Sequence, residues 1–210
     1  PICEELCKAA IVVIILTKVK PKTALTGILI GFTVGAGFDM LENFHYAFTS
    51  YFDAFIEYLL GNPLYSSITD VVSESMYVMR VRVGWSFLVG HHYFTGIFAG
   101  LCVMFKDNKP YRFSDLFRPK TLAGLGIAML LHALWNTSSV IEVPFLGLFL
   151  MVLDILLCFG GFVALVNIAI AQIRVMSIYE EKKTNENDAK EFAEAENETD
   201  IPTDEGVTVS

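Results

Sequence analysis

Long apolar runs, separated by short segments rich in lysine and arginine, make up most of the chain. The apolar residues neither keep to one helical face opposite a polar one nor alternate with period two like the strands of a barrel. Continuous runs of this kind predict membrane-crossing helices, because hydrocarbon leaves the backbone no other open way to pair its polar groups. Five are predicted, over residues 1–17, 24–48, 83–105, 121–141 and 144–173. Pro1 suits a first helical position, where a missing N–H costs nothing. The first run is short against the roughly 20 residues that a span requires, so further sequence, with further spans, is expected upstream. The fold class is therefore all-α: a polytopic membrane helix bundle of about five spans in this fragment.

Two segments fall outside the spans. Residues 51–60 set Phe52, Phe55, Ile56 and Leu59 against Asp53 and Glu57, which predicts a separate helix lying at the membrane interface, as a lid or as a plain connector. Residues 179–210 carry many charges and few apolar side chains, and are expected to form a disordered acidic tail to the 1–178 domain.

Charge then sets the orientation. Lys18, Lys20 and Lys22 follow the first helix; Lys106, Lys109, Arg112, Arg118 and Lys120 follow the third; Arg174, Lys182 and Lys183 follow the fifth. With five spans these clusters share one side, which the positive-inside rule makes the cytoplasm, together with the tail. Arg80 and Arg82 are the only basic residues between the second and third predicted spans, on the opposite side. The net charge of −8 comes largely from the tail, so it implies no basic partner, and no basic, aromatic-interleaved patch points to nucleic acid. Cys3, Cys7, Cys102 and Cys158 lie in apolar runs without disulfide or metal spacing and read as small buried apolar residues.

Ionisable groups inside the apolar runs are the candidates for chemistry. They are the Glu4–Glu5 pair, Glu42, His91 and His132. A charge in hydrocarbon costs about 2.5–3.5 kcal/mol on insertion scales and marks function by default. At ~1.5 Å per residue, these groups lie roughly 17–27 Å from the cytoplasmic ends of four different helices, which predicts one shared polar site. Lys8 stands three and four residues after the glutamates, placed to neutralise one carboxylate and leave the other to act. Gly35 and Gly37 before Glu42 predict a close helix approach. His91 and His92 point about 100° apart, so only one can face the site. His132 and Asn136 share a helical face. His45, three residues after Glu42, reads as interfacial, since a di-iron site needs a second such pair. Asp154 reads as a supporting or packing residue nearer the midplane.

Four motifs in order resemble the PrsW family of intramembrane proteases, which is related to the CAAX prenyl protease and bacteriocin-processing superfamily. They are EExxK at Glu4–Lys8, GFxxxEN at Gly37–Asn43, a GHxxFTG-like block at Gly90–Gly96, and HALWN at His132–Asn136. The resemblance spans residues 1–137. It implies a multi-pass endopeptidase that hydrolyses peptide bonds of membrane-anchored proteins near the membrane face, with roles for Glu4, Glu5, Glu42, His91 and His132. His91 matches better than His92 by its distance from Thr95. The acidic tail, Asp39 and the absence of upstream helices depart from the family pattern.

Two arrangements fit peptide hydrolysis. In one, Glu42, His91 and His132 hold a Zn²⁺ ion with an open position, and Glu4 or Glu5 is the base. In the other, without metal, a glutamate and His91 activate water while His132 and Asn136 donate to the oxyanion. A serine triad is disfavoured because no GxSxG elbow occurs. A histidine-box oxygenase needs more than the four histidines present. The rival class is a transporter or proton relay, which also buries Glu and His but predicts internal repeats and broken helices. No repeat relates the two halves of the chain. The implied partners are a membrane-anchored protein substrate and the lipid bilayer.

Overall fold

A computed structural model describes residues 1–106, 109–141 and 143–199. Among these, six α-helices occur and no strand: α1 Ile2–Val19, α2 Ala24–Leu59, α3 Ile68–Ser86, α4 His91–Met104, α5 Pro119–Val140 and α6 Pro144–Thr199, with a 3-10 turn at Phe113–Phe117. The protein is an all-α membrane helix bundle. Among the described residues, three helical stretches are long and apolar enough to cross a membrane: Ala24–Leu59, Ile68–Met104 and Phe145–Lys190. Of the other two predicted spans, α1 carries Glu4, Glu5 and Lys8, and α5 carries His132 and Asn136.

Local sequence explains most boundaries. Lys20, in the left-handed region at φ 52°, ends α1 by returning its N–H to Leu16. Thr23 caps α2 through its hydroxyl. No glycine or proline interrupts residues 38–60, so α2 continues for 36 residues. The segment 51–60, expected as a separate interfacial helix, is thus the end of α2. At ~1.5 Å per residue α2 is about 54 Å long, well beyond a ~30 Å hydrocarbon core. Its second half pairs antiparallel with α3, which the sequence patterning did not predict. Ser67 and Asp70 start α3 with a reciprocal capping box, and Ser75 donates to the Ala47 carbonyl at 2.7 Å.

The predicted span 83–105 is two helices. The chain leaves α3 at Ser86 and re-enters at His91 after an extended Gly90 (φ −153°, ψ 169°). Every residue of α4 up to Gly100 is buried, making it the central rod of the bundle. α2 runs antiparallel against it through Gly27, Gly31 and Gly35. A methyl group on Gly27 would lie 2.6 Å from Val103 Cγ2, and one on Gly31 or Gly35 would overlap the backbone carbonyls of Thr95 or His91. Small residues let two backbones touch where lipid supplies no hydrophobic drive between helices. Gly37, one of the glycines flagged from sequence, faces open space. α5 packs antiparallel on the other side of α4, with Gly124 against Leu101 and Phe98. Phe162 and Leu165 of α6 fit over Gly96 and Gly100.

The loop after α4 ties the ends together. Lys106 donates to the Pro21 carbonyl, Asp115 accepts the Arg112 N–H at 2.8 Å, and burial raises the pKa of the Tyr111 phenol. The unit Pro1–Ala169 holds all of these contacts. A second unit begins at Ile170, where helix continues to Thr199 with residues 174–190 exposed. Lysine, glutamate and alanine favour helix without any packing, so helix is present over much of the segment expected to be unstructured. Residues 200–210 of that segment lie outside the described residues.

Replacing Gly31 by Leu is predicted to destabilise the bundle by at least the ~1–3 kcal/mol typical of overpacking, because the obstacle is backbone. Thermal unfolding in detergent should show a clear loss for Gly31→Leu and none for Gly37→Leu.

Candidate active site

α1 enters the bundle with two charged side chains that see almost no solvent, Glu5 at 2% exposure and Lys8 at 1%. They pair with each other one turn apart. Each also reaches a histidine on a different helix: His132 Nδ1 of α5 lies 2.8 Å from Glu5 Oε1, and Lys8 Nζ lies 2.6 Å from His91 Nδ1 of α4. The two imidazoles meet edge to face at 4.6 Å. Phe38 sits over the Lys8 ammonium at 4.5 Å and against His91, and Phe94 stacks on His132.

This network fixes the rings. An ammonium can only donate, so His91 Nδ1 accepts from Lys8 and the ring proton sits on Nε2. That nitrogen is 3.1 Å from Glu42 Oε2 and donates to it. Glu5 is a carboxylate acceptor, so His132 carries its proton on Nδ1 and keeps the Nε2 lone pair. His132 Nε2 faces Glu4 Oε2 at 3.5 Å. A histidine whose far nitrogen is held by a carboxylate is the usual arrangement behind a metal ligand.

α4 has no side-chain cap of its own at Gly90. Asp39 of α2 supplies one from across the helix pair. Its Oδ1 accepts the His91 N–H at 3.0 Å, and its Oδ2 accepts the His92 N–H at 3.2 Å and lies 2.6 Å from His92 Nδ1. A negative group at a helix N-terminus is favourable through both hydrogen bonding and the helix dipole. The adjacent histidines therefore divide the work. His91 turns into the site, while His92 is taken by Asp39 and packed against Phe32.

A cavity of about 540 Å³ opens at this end of the helices. Glu4, Glu42, His91, His132 and Asn136 line it, together with Arg82 of α3. Its apolar walls include Val81, Trp85, Phe94, Trp135 and Met151. Glu5 and Lys8 do not line it; they stand behind His91 and His132. Of the sequence candidates, Glu4, Glu5, Glu42, His91 and His132 form one linked cluster, and Asn136 faces the same cavity. Trp135, expected as an interface anchor, is 6.0 Å from Trp85 on the cavity wall. His45 is exposed, and Asp154 is buried away from the cavity, accepting from the Cys158 thiol at 3.3 Å.

Potential metal-binding atoms of Glu4, His91 and His132 all lie within 4.8 Å of one another, and Glu4 Oε2 is buried without a hydrogen-bond partner among the described residues. An orphaned carboxylate oxygen beside two imidazoles is the donor set of a three-ligand catalytic zinc site, so these residues fit a metal. Glu42, also expected in that set, bonds His91 and Arg82.

Sequence reasoning missed Asp39 and Arg82 as parts of the site. Asp39 had a signal, an acid in a glycine-rich apolar run. Arg82 had one too, as a basic residue on the wrong side by the charge rule.

Residues 1–166 match a protein family described as PrsW family intramembrane metalloprotease. The match covers more than half of the 210-residue chain, and the chain belongs to that family. Comparison with curated proteins and with solved structures gives no match.

Two outcomes are expected from the buried network. Lys8→Met leaves the Glu5 carboxylate without its cation and should lower stability by about 3–5 kcal/mol, as for other broken buried pairs. Asp39→Ala removes the side-chain cap that α2 supplies to α4 and should cost about 1–2 kcal/mol. Denaturation of the purified protein in detergent measures both.

Proposed function

We propose that this member of the PrsW family hydrolyses a peptide bond of a membrane-anchored protein near the non-cytoplasmic membrane face. The observation that carries the proposal is the meeting of Glu4, His91 and His132 on one cavity, with a buried Glu4 oxygen that has no hydrogen-bond partner among the described residues. The positive-inside rule puts the basic loops and the C-terminal tail in the cytoplasm, and so the cavity towards the opposite face. The expected kinship with the CAAX prenyl protease and bacteriocin-processing superfamily belongs to the same proposal and rests on the EExxK and HxxxN spacings.

Glu4, His91 and His132 would hold the metal, with Zn²⁺ favoured by one carboxylate and two imidazoles. When bound, it lowers the pKa of a water and polarises the substrate carbonyl. His91 would join the set with its ring proton on Nδ1: Lys8 gives Nδ1 a proton and is left a neutral amine, while the Nε2 proton passes by way of Glu42, 3.1 Å away, to solvent in the cavity, leaving Glu42 a carboxylate. Glu5 and Lys8 orient the two imidazoles.

Glu42 is then the general base. As the water oxygen bonds to the carbonyl carbon, its proton passes to the Glu42 carboxylate and the carbonyl π pair moves onto oxygen. When the tetrahedral species collapses, the C–N bond breaks and the same carboxyl returns the proton to the leaving amine. Asn136, one turn beyond His132 on the cavity wall, offers an amide to the substrate backbone. Glu5 is too enclosed to meet a substrate, which assigns the metal-facing part of the EExxK run to Glu4.

A transporter would also use a helix break beside buried charge, and the Phe87–Gly90 break stands next to His91. Family membership favours hydrolysis.

Glu42→Gln and His132→Ala should each reduce cleavage of a single-span reporter in liposomes by at least ~100-fold, the lower range for loss of acid–base catalysis. Unchanged cleavage in both variants contradicts the proposal. Elemental analysis of the purified protein should find about one zinc per chain, lost with activity in chelator and reduced in His132→Ala. Full activity without stoichiometric metal would remove the metal from the mechanism.

A further inference from the structure

One cation on the cavity wall has no part in the chemistry so far. α3 delivers Arg82 into the site from a helix that carries none of the family motifs. Its guanidinium is held at three points along one stretch of α2: Nη2 donates to Glu42 Oε2 at 2.8 Å, Nε donates to Asn43 Oδ1 at 3.1 Å, and the plane lies over the Tyr46 ring at 3.7 Å. The Arg82 carbonyl accepts from Ser86 Oγ, which in turn accepts from Asn43 Nδ2, so the backbone here is anchored as well. A guanidinium has five N–H groups, and two of them donate to side chains of α2 among the described residues.

A carbonyl oxygen that becomes an oxyanion is stabilised by a preorganised donor aimed at it. In a metal-free arrangement His132 was expected to help hold the oxyanion, but its Nδ1 is taken by Glu5 and its Nε2 faces Glu4. Lys8 is spent on Glu5 and His91 and does not line the cavity. Arg82 is the one Lys or Arg among the described residues lining it, and it is bonded to the carboxylate assigned as base.

We propose that Arg82 is a catalytic residue that donates a hydrogen bond to the carbonyl oxygen as it becomes an oxyanion, a role that rests on the hydrolytic function proposed above. The base and the oxyanion donor are then locked in register by their own ion pair. Water attacks between them, its proton goes to Glu42, and the negative charge on the carbonyl oxygen develops against Arg82. Arg82 exchanges no proton and forms no covalent bond.

The test uses the full chain in liposomes. Arg82→Ala should lower kcat for a single-span reporter by roughly 100- to 1000-fold with little change in KM, the size of effect seen when an oxyanion donor is removed. Added guanidinium should restore at least about tenfold, while Arg82→Lys restores little because ammonium lacks the planar fork. Arg80→Ala, on the exposed face of the same helix, should cleave normally.

A purely positioning role is separated by a double-variant cycle. If Arg82 acts only through Glu42, then Arg82→Ala costs nothing further in a Glu42→Gln background, and the proposal is overturned. A second measurement does not need turnover. A short apolar phosphinic peptide carries the tetrahedral oxyanion as a stable group, and its binding can be read by quenching of Trp85 and Trp135. Arg82→Ala should weaken it by at least about tenfold and leave the matching amide peptide unaffected. Equal binding of the phosphinic peptide by both proteins overturns the assignment of Arg82. An Arg82-dependent phosphinic complex in a protein that cleaves no reporter leaves Arg82 assigned as an oxyanion donor and removes the peptidase function instead.

Discussion

The buried ion pair between Glu5 and Lys8 is the contact on which the site depends. Two charges on one helix turn, each almost wholly enclosed, are tolerable in a low-dielectric interior only when every lone pair and proton finds a partner. Lys8 needs an acceptor besides Glu5 and takes His91 Nδ1; Glu5 needs a donor besides Lys8 and takes His132 Nδ1. α1 is thereby pinned to α4 and α5, and both imidazoles are turned with their outer nitrogens towards Glu42 and Glu4. One desolvated pair thus sets the helix packing, the histidine tautomers and the direction in which the reactive nitrogens point.

The bundle around that pair has to bring helices close together and start one of them in its interior. The glycine stripe of α2 does the first, by allowing backbone contact along α4. Asp39 does the second. A helix that begins in an apolar interior exposes unpaired N–H groups, and Asp39 takes two of them while binding His92. His91 occupies the first helical position as a result, where its side chain reaches the cavity. α3 then closes the outer side, with Arg82 bridging to Glu42, Asn43 and Tyr46.

The convergence of Glu4, Glu5, Glu42, His91 and His132 was legible in the sequence because polar groups stand out sharply inside apolar runs and helix rise converts position into depth. The all-α membrane fold was legible for the same reason. What escaped was whatever depends on a partner distant in the chain. The break at Phe87–Gly90 falls in a run without proline, and the residue that stabilises it lies on α2. α3 carries Asp70, Glu74, Arg80 and Arg82, so its patterning hid a helix that is held by Ser75 and Arg82 against α2. Gly37 was conspicuous beside Glu42, yet the contact runs through Gly27, Gly31 and Gly35, whose four-residue spacing places them on one face. The division of labour between Glu4 and Glu5 needed the rotation of α1, which adjacent residues cannot reveal.

The central claim is that Glu5, from the first helix, holds His132, from the fifth, through Nδ1. Magic-angle-spinning NMR of the liposome-reconstituted protein, with ¹³C-carboxyl glutamate and ¹⁵N-imidazole histidine, measures that contact directly. The account predicts a protonated His132 Nδ1 in strong dipolar contact with the Glu5 carboxyl, consistent with the 2.8 Å hydrogen bond. A His132 ring protonated on Nε2 instead, or a Glu5 carboxyl with no imidazole nitrogen in reach, would contradict it.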